Sequence, residues 1–163
     1  MTDDVNARLD EIFNARSQKE AEALRIKNEI QQKQKSNLQD FLELQESLIR
    51  PTLESLAQKL KDRGHNTKVF DIADGEQISG STRVASIGIQ FLLDTAANYR
   101  NANEYPHVTL TVEKNTRTVH FSYSTMSPSR GGSAGGAGSV SFEALTPELI
   151  NDKVIKVISD LYK

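Results

Sequence analysis

Three histidines, His65, His107 and His120, have the widest chemical range of any side chains in this sequence, because imidazole serves as acid, base or metal ligand near neutral pH. His107 and His120 fall in segments of strand-like alternation, so their separation can be read from the pairing. A hairpin turning at Asn115-Thr116 sets His107 opposite Ser124 and His120 opposite Thr111. The two rings then start about 13 Å apart along the strands. Metal–nitrogen bonds are about 2 Å long, so one ion cannot bridge them. His65 follows Gly64 in a turn and has no second ligand near it in sequence. No metal and no cofactor is expected. The chain has no cysteine, which removes disulfides, thiolate catalysis and zinc–thiolate sites.

A second chemical candidate is the stretch Ser127–Ser139, which holds five of the nine glycines together with Arg130. Glycine-rich loops can cradle phosphate with their amides, and Arg130 could add charge. However, the stretch lacks a Gly-Lys-Ser/Thr sequence and precedes a strand rather than a helix, so the context of a phosphate loop is missing. It reads as a flexible connection, or as a flap that orders over a bound partner. The many serines form no Gly-x-Ser-x-Gly elbow, and no paired carboxylates stand at a catalytic spacing. Asp71 and Asp94 read as ordinary acids at turns or strand ends. An enzyme with an unrecognised site is the weakest of three functional readings, and the working expectation is non-enzymatic.

The elements that must position these groups follow from one change of period. Apolar residues recur at helical spacing up to Leu60 and alternate at strand spacing from Val69 to Phe142. With no helix between the strands, an α+β fold is expected: a long N-terminal helix, then a five-stranded antiparallel sheet covered on one face by two helices. The strands are read at Thr67–Ala73, Arg83–Leu93, His107–Glu113, Arg117–Thr125 and Ser139–Leu145. In the central hairpin Val112 meets Val119, Leu110 meets Phe121 and Val108 meets Tyr123. The reverse face pairs Thr111 with His120, Thr109 with Ser122 and His107 with Ser124. The covering helices begin near Pro51 and at Thr146-Pro147, a capped start.

The long helix carries its own signal. Val5, Leu9, Ile12, Arg16, Lys19, Ala23, Ile26 and Ile30 follow 4-3-4-3 spacing, a heptad seam with two cations in its middle. Beyond it the register shifts, as an inserted stutter would make it. Such a stripe needs another helix, from a second copy or from its own chain after a bend at Gln31–Asn37. The boundaries expected are 1–47 for the helical arm and 48–163 for the domain.

Two surfaces are thus candidates for function. The seam residues Val5, Leu9, Ile12, Ala23, Ile26 and Ile30 would pair copies of the chain, in a dimer first, or bind a partner protein's helix. The polar sheet face, with Gln90, His107, Thr109, Thr111, His120, Ser122 and Arg130, would meet a partner or, alternatively, a small ligand. It is also what an ordinary strand surface looks like.

Charge narrows the partners further. Twenty Lys and Arg stand against 22 Asp and Glu, spread evenly along the chain, which argues against general nucleic-acid binding. The acidic start Met1-Thr2-Asp3-Asp4 is unlike a secretory signal, and no apolar run is long enough for a membrane span. A cytoplasmic protein is expected.

Overall fold

The computed structural model describes residues 2–93, 105–127 and 131–162. Two compact units divide the chain, Met1–Ser36 and Asn37–Lys163. The first is helix alone. Helix α1 runs from Thr2 to Leu44 and stays α-helical through Gln31–Asn37, where the sequence left room for a bend. Asp3 and Asp4 lie in its first turn, where carboxylates complement the helix dipole. Along its surface Arg16 pairs with Glu20 at 3.0 Å, and Arg25 lies between Glu22 and Glu29. These i,i+3 and i,i+4 pairs each add a little to the stability of an exposed helix.

The second unit takes in the last turns of α1, where Asn37 and Phe41 are buried. A π turn, Gln45–Ile49, then leads without a break into α2, Arg50–Lys61. The amide of Arg50 donates to the carbonyl of Gln45, five residues back. Pro51 accounts for the wider turn: in a regular helix its ring would collide with the carbonyl of Ser47, four residues back. The extra residue shifts the helical register between α1 and α2, whereas the slip read from the sequence lies upstream, between Ile30 and Leu38, within unbroken α-helix.

Seven strands follow among the described residues. β1 (Thr67–Ile72), β4 (Ser86–Phe91), β5 (His107–Glu113), β6 (Thr118–Ser124) and β7 (Ala134–Ser141) form one antiparallel sheet in the order β1-β4-β5-β6-β7. β2 (Gln77–Ile78) and β3 (Ser81–Thr82) form a separate small hairpin, absent from the sequence reading. It turns on Ser79 and Gly80, both at positive φ, the requirement of a tight two-residue hairpin turn. The base of this excursion is pinned by Gly75 and Arg83, whose amides donate to the carbonyls of Arg83 and Glu76, both at 2.8 Å. Asp74 adds a further tie, accepting from the Ala85 amide and from Lys114.

The β5–β6 register is the one expected, Val112 with Val119 through His107 with Ser124. One strand differs. Ser139–Leu145 was expected to be the last strand, but β7 begins at Ala134 and ends at Ser141, and Phe142–Ala144 is a 3-10 turn. The end of the glycine-rich stretch, Ala134–Ser139, is therefore strand rather than loop.

One face of the sheet is the core. Ile87, Ile89, Phe91, Leu110, Val119 and Phe121 point into it, all fully buried. α2 contributes Leu53, Leu56 and Leu60, and α3 (Pro147–Leu161) contributes Ile150, Val154, Val157 and Leu161. Thr146 caps α3, its hydroxyl accepting from the Leu149 amide at 3.2 Å. The tip of the β5–β6 hairpin is tied to the end of α1. Arg117, at a φ of 52°, donates to Asn37 at 3.1 Å, Asp40 at 2.5 Å and Glu143 at 3.1 Å, and stacks over Phe142. Buried Asn37 returns a bond to the Lys114 carbonyl at 2.6 Å. These contacts hold Arg117 in a left-handed conformation that a free residue avoids. Among the described residues no helix is long and apolar enough to cross a membrane.

Candidate functional site

The reverse face of the sheet is partly enclosed. β4 is buried on both sides, so that even Ser86 and Gln90 are only 4% and 5% exposed. The cause is β1. Val69 packs toward the core, while Phe70 and Ile72 point the other way, onto the nominally polar face. Phe70 lies opposite Gly88 in the register, and its ring occupies the space a side chain there would need. A Cβ built on Gly88 would stand 2.9 Å from Phe70 Cζ and 2.4 Å from the Val108 carbonyl oxygen.

Beside this contact the face opens into a cavity of about 380 Å³. Gln90, His107, Thr109, Thr111 and Ser122 line it, five of the residues singled out from the sequence. Phe70 and Ile72 from β1, Thr82 at the end of β3, and Arg83 and Val84 from the β3–β4 connection supply another wall. Among the described residues no Asp or Glu lines it. The guanidinium of Arg83 has no hydrogen bond or ion pair among the described residues.

His107 has a fixed tautomer. Its Nδ1 lies 3.0 Å from the Tyr105 carbonyl oxygen, which can only accept, so Nδ1 carries the proton and Nε2 is left for another partner. His120 is placed differently. Its Nδ1 meets Ser139 Oγ at 3.0 Å, its ring lies against Gly136 of β7, and it does not line the cavity. Arg130 and Asp94 lie outside the described residues. His65 packs against Tyr162 with the rings tilted by 54° and their centroids 4.6 Å apart, and burial raises the tyrosine hydroxyl's pKa. Asp71 pairs with Arg50. Glu143 is held below the usual carboxylate range by its own backbone amide and by Arg117. These charges serve the fold. No cluster of three metal-ligating side chains occurs among the described residues.

The second candidate surface lies on α1. Val5, Leu9, Ile12, Ile26 and Ile30 are 44 to 61% exposed, and Ala23 is exposed with them. Nothing among the described residues of the single chain covers this stripe. Among the cavity residues, Phe70, Ile72, Thr82, Arg83 and Val84 escaped the sequence reading. A usable signal was present: apolar side chains on both faces of one short strand are out of place unless both faces are covered.

Comparison of the chain with known family models, with curated proteins and with solved structures finds no match.

Proposed function

We propose that this chain is a non-enzymatic, self-associating interaction module. The seam of α1 pairs two copies, and the domain presents its polar sheet face, with the glycine-rich edge strand β7 beside it, to a further partner. One observation carries the reading: five large aliphatic residues at heptad spacing stand uncovered on a largely polar helix, with Phe13 and Leu24 exposed off the seam. Burying such a stripe against its own copy is worth roughly 1.5–3 kcal/mol for each large side chain fully covered. An isolated helix gains none of this and depends on propensity and surface ion pairs.

A dimer fits the seam better than a larger bundle. Arg16 and Lys19 sit in its middle, and in a two-stranded coil their long stems can cover the interface while the charges reach water. A third strand would crowd more cations around one axis. Pairing also doubles the sheet faces offered to a partner, raising apparent affinity without any new contact.

Spin labelling tests the seam. With no native cysteine, a nitroxide can be placed at one position at a time. Labels at Leu9, Ile12, Ile26 and Ile30 are expected to be immobilised, and labels at Asp10, Glu11 and Lys27 to move freely. Uniformly fast motion at all seven positions would contradict pairing through this stripe.

A further inference from the structure

We infer that the cavity on the sheet face is a binding site for a small organic carboxylate with a compact apolar body. This goes beyond self-association and does not depend on it. Three observations converge. The first is charge: a chain with 22 acidic residues places none of those described on this lining, while Arg83 stands there with its guanidinium unpaired among the described residues. A guanidinium matches a carboxylate with two parallel hydrogen bonds, the strongest neutralisation available to a single side chain.

The second is the arrangement of neutral polar groups. Gln90 is almost fully buried on the lining, and the hydroxyls of Thr109, Thr111 and Ser122 stand on it as donors that a carboxylate can accept from. The third is the apolar wall of Phe70, Ile72 and Val84, which gives a carbon skeleton something to cover. A volume of about 380 Å³ lies at the small end of the usual range for ligand sites. One cation with neutral hydroxyls around it suits a monoanion. A phosphate monoester, with close to two charges, calls for more cations than the lining supplies.

The test is a proton–nitrogen NMR titration of the full chain with benzoate, benzyl alcohol and phenyl phosphate. Benzoate is expected to give saturable shifts at the amides of Gln90, Thr109 and Thr111. Benzyl alcohol should bind at least about tenfold more weakly, and Arg83→Gln should weaken benzoate by about tenfold or more, as loss of a charged hydrogen bond implies. Arg83 is exposed, and its fold-forming bonds are made by its backbone, so the variant keeps the structure. A chain carrying Leu9→Glu and Ile12→Glu should bind benzoate as the wild type does, which separates this site from the seam. Absence of shifts at those amides, or benzoate binding indifferent to Arg83→Gln, would overturn the site. Tighter binding of phenyl phosphate than of benzoate would overturn the carboxylate assignment.

Discussion

Replacing Leu9 and Ile12 together by glutamate is expected to dissociate the assembly, raising its dissociation constant by at least about a hundredfold. In a dimer the double substitution sets four carboxylates into one apolar interface, and each unpaired buried charge costs several kcal/mol. In a free helix the same change is nearly silent. The two side chains are already 44% and 61% exposed, and glutamate is a good helix former. The experiment therefore separates pairing from an unpaired helix. The sheet domain supplies an internal control. Its core runs from Phe41 to Leu161 and uses no residue of the seam, so its melting transition should stay where it was. A lower oligomeric mass with an unchanged domain transition is the expected pair of results, read by sedimentation and by thermal melting.

Gly88→Ala is expected to cost the domain about 3 kcal/mol of stability. The new carbon would stand 2.4 Å from the Val108 carbonyl oxygen, which belongs to the neighbouring strand and cannot move without breaking the β4–β5 ladder. It would also meet the Phe70 ring at 2.9 Å. For a chain of this size, a loss of that order lowers the melting temperature by about 6–12 °C. Gly136→Ala is the comparison. Its nearest neighbours are the His120 ring atoms at 3.2 and 3.3 Å, and a side chain can give way by that amount. If the two substitutions cost the same, the close packing of Phe70 over β4 is not what shapes this face. Because Phe70 also lines the cavity, Gly88→Ala should alter the shifts caused by benzoate even in the molecules that remain folded.

The parts of the fold that were legible in the sequence are those where side chains advertise their side of an element. Val108, Leu110 and Val112 alternate with Thr109 and Thr111, and Val119, Phe121 and Tyr123 answer them across the hairpin. Slipping that pairing by one residue would turn every apolar group to water, which is why the register could be read off directly. β7 was placed too late because glycine has no side chain to show alternation. Gly135, Gly136 and Gly138 look like linker, yet they lie in the strand beside β6, and Gly136 leaves room for the His120 ring. β2 and β3, at two residues each, are too short for any period to register, and only the Ser79-Gly80 dipeptide marks them.

The candidate site was half legible for a related reason. Gln90, His107, Thr109, Thr111 and Ser122 share one face of adjacent strands, so alternation alone groups them. The other wall comes from Phe70, Ile72 and the connection through Arg83 and Val84. It meets the first only because β1 takes the edge beside β4. Strand order is a property of the whole chain, and no local pattern carries it. His120 shares the face of Thr109 and Thr111 in the pairing, but its bond to Ser139 turns its ring toward β7, which the strand pattern could not show.

The central claim is that α1 joins copies of the chain through its seam, and native mass spectrometry of the full-length protein over a dilution series tests it most directly. The expected result is a species of twice the 18.1 kDa chain mass that gives way to the single chain only on dilution. A mass of one chain at every concentration would contradict the claim.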